Sequence, residues 1–532
     1  MKNNVLRCTA LASTILVATG CANKPGQPDL ATQFKQTFAS ADPCSNNSRN
    51  IGIAAGALVG VVLGNSMGNG STQSKIVGAA LGSVVGGMIG ADMDRKRCEL
   101  SKVAKKYDLD IVFAEVGSNG DVKALDSGFK APAPNPATPS AAPDIVGSTV
   151  TIRDKTGLAG QFEIGSDKLT PRAEEYFAAI ASQYAPDTVL AAQTDPQKKE
   201  DVRKQLALRR ILLVGHTDDT GSSQLNADLS ERRARAVAAF LKQKGVPEAN
   251  IYYQGAGETL PISDNRTEDG RALNRRVEIV EVADDATFKK YLDIRKPQTA
   301  FYRTEPSPSS AEGKSVPTAP VKPQVASNSA STNAAKVTKP SIAPPINFGG
   351  APYTVATAKI DTGSIKPDKS FSLIPKAQAD DSILAVDCSY DRPRAVGTVK
   401  SLRDGSSYRT SEHLPQLYGK TWASDVNGNL VVINHLAVLR GNGAPANLPE
   451  LKVYAQYRPG SNKKPEVSEE PAVNSYFVEK GLLYRIFPRG DGGLKCMDLL
   501  FAVDGATTAK AGKLIYVGGT NQFVADFRLQ IQ

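Results

Sequence analysis

The sequence predicts a multidomain protein: an N-terminal α-helical hairpin, a central α/β sandwich and a C-terminal all-β domain. Three observations predict it. Two apolar stretches near the N-terminus carry glycine at every fourth position, the middle of the chain alternates strand-like and helix-like periods, and from residue 380 onward short apolar runs alternate with Gly, Asn and Asp turns. At 532 residues the chain exceeds what one core serves, and roughly three or four domains is the expectation. Two stretches rich in Pro, Ser, Ala and Thr, 131–143 and 291–379, cannot bury a core and read as linkers.

The hairpin comes first. Gly52, Gly56, Gly60, Gly64 and Gly68 are followed, after a polar turn, by Gly78, Gly82, Gly86 and Gly90. Glycine at i+4 puts a stripe without side chains on one helix face, so two helices approach closely. Each glycine costs about 1 kcal/mol of helix stability in water, so the pattern makes sense where packing or lipid compensates. Residues 51–100 resemble the glycine-zipper two-helix region of bacterial outer-membrane lipoproteins. A hairpin inserted in a membrane or oligomerising, and a soluble hairpin packed on its neighbours, both remain open. Residues 101–130 hold one strand-like run, Asp110 to Val116, before the turn Ser118-Asn119-Gly120-Asp121, and read as a short β segment.

The N-terminus sets the compartment. Lys2 and Arg7 accompany an apolar stretch from about Thr9 to Thr19, and small residues lead to Cys21. That is a charged region, an apolar region and a cleavage site, too short to span a bilayer. Ala18-Thr19-Gly20-Cys21 resembles the lipobox of bacterial lipoproteins, although Ala18 stands where a larger aliphatic residue is commoner. The resemblance implies that residues 1–20 are a removed signal peptide, that Cys21 is acylated with chains such as palmitate, and that 21–50 form a lipidated tether. Ala22, where an Asp would suggest inner-membrane retention, favours the outer membrane and a periplasm-facing protein. An ordinary secretory signal cut at this point leads to the same compartment.

Six cysteines are present. Cys8 leaves with the signal and Cys21 carries lipid, so Cys44, Cys98, Cys388 and Cys496 remain to pair in an oxidising compartment. Three pairings are formally open. Position favours Cys44 with Cys98 and Cys388 with Cys496, because each couple brackets one segment.

Residues 144–290 carry the chemistry. Thr170 suits an N-cap and Pro171 the first helical position, with Phe177, Ile180, Ala181 and Tyr184 on one buried face. A polar insertion follows, then the strand Ile211 to Val214, ending in GHTDDTG. Leu229-Ser230-Glu231-Arg232-Arg233-Ala234 opens a second helix with Ser230 as N-cap, and Gly245 stops it. The strand Ile251 to Tyr253 leads to Gly255-Ala256-Gly257-Glu258, and Asn274-Arg275-Arg276-Val277-Glu278 enters the last strand. This alternation predicts one sheet covered by helices on one face.

The blocks GHTDDTG, NxxLSxRRA, GxGExxP and NxTxxGRxxNRRVE, in that order, resemble the OmpA-like peptidoglycan-binding domain over about 120 residues. The insertion before the second strand is longer than that family usually carries. The resemblance implies a site for the diaminopimelate of the peptidoglycan stem peptide, whose free end carries an ammonium beside a carboxylate. It assigns the ammonium to Asp218 and the carboxylate to Arg233, with Thr217, Asn226, Leu229 and Arg276 as lining residues. A loop after a strand suits the first role, and a helix first turn with free N–H groups suits the second. A guanidinium also grips a carboxylate through two parallel bonds. The plainer readings stand beside these: Asp218 as a turn residue, Arg233 as a solvated charge, and Arg275 or Arg276 pairing with Asp218 or Glu258 outside the sheet.

The net charge of +10 fits nucleic acid, anionic lipid or an acidic polymer, but no motif points to nucleic acid. Three histidines lack zinc spacing, and neither a nucleophile elbow nor a phosphate loop occurs, so no catalytic residue, metal or cofactor is expected. His216 reads as structural. Three functional readings follow: a non-catalytic wall anchor held by peptidoglycan and outer-membrane lipid; a structural subunit of an envelope-spanning secretion, conjugation or motor complex, with residues 380–532 docking protein partners; and a peptidoglycan hydrolase, whose carboxylate pair would leave no local signature.

Overall fold

The computed structural model describes residues 44, 91–117, 122–124, 145–154, 160–297, 299–304, 345–363, 383–408, 412–460 and 462–532. The expected lipobox with Cys21, the expected tether except Cys44, and the expected hairpin up to residue 90 lie outside them. Among the described residues no helix is long and apolar enough to cross a membrane. Both disulfides join the partners that position favoured, Cys44 with Cys98 and Cys388 with Cys496.

A first helix, α1 (91–107), extends past the expected end of the hairpin, so the β segment begins only at β1 (Leu109–Gly117). The helix docks on the central domain: Leu100 is fully buried, and Lys96 Nζ bonds Glu281 Oε2 at 2.5 Å. Strand β1 pairs with β2 (Val122–Ala124) and with β3 (Ile145–Asp154), so the β segment is an extension of the central sheet.

That sheet continues through β4 (Arg210–His216), β5 (Ile251–Gly257) and β6 (Val277–Val282). Its order is β2-β1-β3-β6-β4-β5, and β4–β5 is its one parallel pair among the described strands. Helices α2 (Pro171–Ser182) and α5 (Ser223–Gln243) cover one face, where Tyr176, Phe177, Ile180, Val237 and Leu241 meet Ile211, Leu213, Ile251 and Ile279. Between them the polar insertion forms two short helices, α3 (Pro186–Ala191) and α4 (Pro196–Leu208). After α6 (Glu268–Asn274), helix α7 (Asp285–Ile294) lays Phe288, Tyr291 and Leu292 against Leu212, Val214, Val280 and Val282 on the other face.

The sheet is therefore covered on both faces, not one. The reason is written in Ile211-Leu212-Leu213-Val214: successive side chains point to opposite faces, so an unbroken apolar run demands cover on each. Thr170 caps α2 as expected, accepting from Ala173 N, with Pro171 in its first turn. The cap of α5 is Ser222 and not Ser230, because the helix starts directly after the loop. Ser230 lies fully buried inside the helix, where its Oγ accepts from Gly257 N at 2.9 Å.

The C-terminal region is a two-sheet sandwich. One sheet runs β12 (Val467–Glu469), β11 (Glu450–Tyr454), β10 (Asn429–Asn434), β9 (Trp422–Val426) and β18 (Gln530–Ile531). The other runs β13 (Ala472–Val478), β14 (Gly481–Phe487), β15 (Leu494–Phe501), β16 (Ala511–Gly518), β17 (Asn521–Asp526) and β7 (Ala351–Pro352). Alternate residues such as Val431 and Ile433 face Tyr484, Leu499 and Phe501 across one core, and Trp422 meets Phe501 edge-on at 4.9 Å. Strand β7 belongs to the stretch expected to be linker. The final sheet partner of β5 is β8 (Lys400–Ser401), which comes from beyond the linker and ties the C-terminal region to the central domain.

Candidate functional site

The site forms where β4 ends and the chain turns through 217–221 into α5. Parallel pairing with β5 brings two strand ends together, and Thr217 N donates to Gly257 O at 2.9 Å. Gly215 and Gly255 let α5 approach the sheet: a Cβ on either would meet helix backbone, Ser230 O at 2.2 Å and Ala227 O at 2.4 Å.

Asp218 is largely buried, and its carboxylate is held from both sides. Oδ1 accepts from Thr220 N at 2.9 Å and from Thr220 Oγ1, while Oδ2 accepts from Arg275 Nη1 at 2.6 Å. Burial works to raise this carboxyl, but the hydrogen bonds from Thr220 and Arg275 outweigh it and hold it below the usual carboxylate value. A carboxylate offers about four lone-pair sites, so one on Oδ2 is left for a further donor.

Arg233 lies in the middle of α5, not in its first turn, so the free N–H groups of the helix start are not beside it. Its Nε donates to Ser166 O at 3.0 Å and its guanidinium lies 5.0 Å over the Phe162 ring. Those contacts hold the stem and leave both Nη groups without a hydrogen bond among the described residues. Burial and the neighbouring Arg232 lower the pKa of this cation, opposed by Asp167 and Asp218. The site thus holds a carboxylate and a guanidinium in electrostatic range, each fixed by other partners.

The expected lining residues divide. Thr217 is buried, its hydroxyl without a hydrogen-bond partner among the described residues, and Leu229 is half-buried. Asn226 ties the loop instead of lining it: Nδ2 faces Asp218 O at 3.3 Å, Thr220 O at 3.0 Å and Glu258 Oε2 at 2.5 Å. Arg276 points inward. Its Nε donates to Glu278 Oε1 at 2.8 Å and its Nη2 to Leu260 O at 3.0 Å, because period-two alternation puts it on the face of Glu278. Arg275 is the arginine that reaches Asp218. Glu258 is buried and receives Arg392 at 2.8 Å, and Arg303 meets Asp219 at 3.0 Å; neither arginine carries a sequence signal. His216 is buried beside Glu278 at 3.5 Å, and burial and then Arg276 lower its pKa to about 4, so it stays neutral in a structural place.

Residues 161–275 match the family model described as OmpA family. The chain carries an OmpA-family domain. Residues 51–97 match a second model, described as Glycine zipper. Over 75 residues the chain is 47% identical to the outer-membrane lipoprotein YfiB of Pseudomonas aeruginosa, covering 14% of this chain and 45% of that protein. It is 48% identical over 71 residues to the peptidoglycan-binding protein ArfA of Mycobacterium tuberculosis, covering 13% of this chain and 22% of that protein. With the probable lipoprotein YiaD of Escherichia coli it shares 44% identity over 78 residues, covering 15% and 36% of the two chains. The match therefore spans less than half of each of these relatives.

Proposed function

We propose that this chain is a non-catalytic, outer-membrane lipoprotein that anchors the membrane, or a complex within the envelope, to peptidoglycan. Its OmpA-family domain grips the diaminopimelate end of a stem peptide, the ammonium at Asp218 and the carboxylate at Arg233. The observation that carries this reading is the separation of the two charges: Asp218 is engaged by Thr220 and Arg275, Arg233 by Ser166 and Phe162, and no ion pair between them has to break. A ligand with adjacent opposite charges fits that pair, and the two free Nη groups give a carboxylate its fork. Similarity to a peptidoglycan-binding protein and to outer-membrane lipoproteins supports the same reading. Binding without cutting is supported by His216, which is buried and neutral, and by Cys388 and Cys496 of the sandwich, which are joined in a disulfide and offer no thiol.

Membrane attachment through acylated Cys21 completes the anchor. The sandwich favours a role inside a larger envelope assembly, because strand β8 couples it to the OmpA-family domain and not to a free tether. The deciding experiment is a sacculus pull-down of the full chain against Asp218→Ala and Arg233→Ala. Each variant is expected to lose retention, by roughly 2–5 kcal/mol for a charge left without its counterpart. Undiminished retention of both variants sinks the assignment.

A further inference from the structure

Residues 391–402 follow the long Pro-rich stretch, yet they lie across the OmpA-family domain. They meet strand β5, helix α5 and the acceptor loop 217–221 itself. Strand β8 pairs with Tyr252 and Tyr253, Gly397 N donates to Gly255 O at 2.8 Å, and Leu402 N donates to Ile251 O at 2.9 Å. Lys400 Nζ bonds Glu231 on α5 at 2.6 Å, and Ala395 N donates to Ser223 Oγ at 2.6 Å, on the first residue of that helix.

Arg392 is the residue of this strap that reaches the loop. Its Nη2 donates to the carbonyl of Asp219 and, at 2.8 Å, to Glu258 Oε1. Glu258 is 2% exposed, and a carboxylate buried so deeply needs a cation. Its other oxygen orients Asn226, which in turn holds the carbonyls on either side of the Asp218 carboxylate, those of Asp218 and Thr220. The backbone of the acceptor loop is therefore fixed, through Asn226 and Glu258, by an arginine from outside the OmpA-family domain. Other contacts fasten the strap to the sandwich: the Cys388–Cys496 disulfide just before it, and Asp391, which accepts from Arg485 Nη1 at 3.1 Å and from Tyr476 Oη at 3.1 Å.

We infer that residues 391–402 are a working part of the ligand site, and that Arg392 is a positioning residue holding loop 217–221 in its ligand-accepting shape. This rests on the wall-binding reading above. Coupling between sites is reciprocal, so a ligand at Asp218 tightens the strap and fixes the sandwich over the wall-binding domain.

The test uses the full chain and a muropeptide carrying diaminopimelate, with Arg392→Gln, Arg392→Lys and the double variant Glu258→Gln/Arg392→Gln. Calorimetric titration is expected to show about ten-fold weaker binding for Arg392→Gln, within the usual range of coupling between sites. Lysine restores part of it by neutralising Glu258, and so does the double variant, in which no buried charge is left unpaired. A second arm needs no ligand: hydrogen exchange of the 217–221 amides is faster in Arg392→Gln than in wild type, at an unchanged melting temperature of the sandwich. Wild-type exchange in that loop, or a binding loss that neither lysine nor Glu258→Gln relieves, overturns the strap's role. A wild-type chain that does not bind the muropeptide overturns the wall-binding reading instead, and the exchange arm still decides the strap.

Discussion

Arg275 Nη1 donates to Asp218 Oδ2 at 2.6 Å, so the carboxylate proposed to accept the ligand's ammonium has a cation of the protein's own beside it. Arg275 is itself shared, since its Nη2 bonds the exposed Glu268 at 3.0 Å. This arrangement favours the ionised form of Asp218 and leaves one lone-pair site on its carboxylate.

The first prediction concerns pH. Burial raises the Asp218 carboxyl, and the Thr220 and Arg275 hydrogen bonds bring it below its ordinary value of 3.8. For a depressed carboxyl, the ionised form and the stability it contributes persist above the ordinary pKa and are lost only as pH falls through the lower folded value. Sacculus binding by wild type is therefore expected to survive below pH 3.8, and Arg275→Gln to lose binding at a higher pH. Pull-downs across a pH series measure both midpoints; coincident midpoints would remove Arg275 from this role.

A second prediction tests the close approach of α5. In Gly215→Ala the new Cβ would lie 2.2 Å from Ser230 O, a backbone atom that cannot step aside. Overpacking of this kind costs about 1–3 kcal/mol or more. Denaturant unfolding should show a lower midpoint for the central domain, with Asp218 chemistry untouched by the substitution itself. An unchanged midpoint would mean that the helix is free to shift.

Much of this domain was legible because its signals are local. The apolar run Ile211 to Val214, the cap at Thr170 and the Thr220 hydrogen bonds to Asp218 are set by neighbours in sequence. The misplaced cap of α5 shows the limit: Ser222 and Ser230 are both good cap residues, and only the short loop before Ser223 decides between them. Arg275 and Arg276 were not separable by residue type, and the strand's alternation turns the second one inward. Arg392 was illegible, because its partner Glu258 lies across the whole linker and pairing at that separation leaves no local pattern. The second layer on the sheet was written in the unbroken apolar run of β4 and was missed for want of a matching helix pattern.

The third prediction concerns Cys388–Cys496, which closes a loop over a sequence separation of 108. Removing such a crosslink typically costs about 2–4 kcal/mol, mainly by freeing the unfolded chain. Cys388→Ser/Cys496→Ser is expected to lower the melting transition of the sandwich and leave the central domain's transition in place. Because Cys388 precedes the strap, the same variant should also raise exchange in 391–402. A reductant applied to wild type should reproduce both effects.

Lipid attachment gives the fourth. Cys21→Ser is expected to abolish incorporation of labelled palmitate in cells and to move the protein from the membrane fraction to the soluble periplasmic fraction. The role proposed for this cysteine rests on its place after Ala18-Thr19-Gly20, a run that resembles a lipobox. Label retained by the variant would refute acylation at this residue.

The last prediction lies in the buried charges that receive the strap. Arg485 is 1% exposed and bonds both Asp498, at 3.0 Å, and Asp391, at 3.1 Å. Two acids share one guanidinium here, and they respond in opposite directions. Burial raises the Asp391 carboxyl, but Arg394 and Arg485 together outweigh it and hold it low. For Asp498 burial prevails over Arg485, and its carboxyl rises from 3.8 to about 6. Between those values the folded sandwich binds a proton at Asp498 that the unfolded chain does not. Stability from this group is therefore present below pH 3.8 and declines as pH rises through about 6. Asp498→Asn keeps an acceptor for Arg485 and removes the titration, so its unfolding free energy should be flatter than wild type across that window. Arg485→Met leaves both acids buried without their shared cation, and a loss of about 3–5 kcal/mol is expected. Equal pH slopes for wild type and Asp498→Asn would place the sandwich's acid response elsewhere.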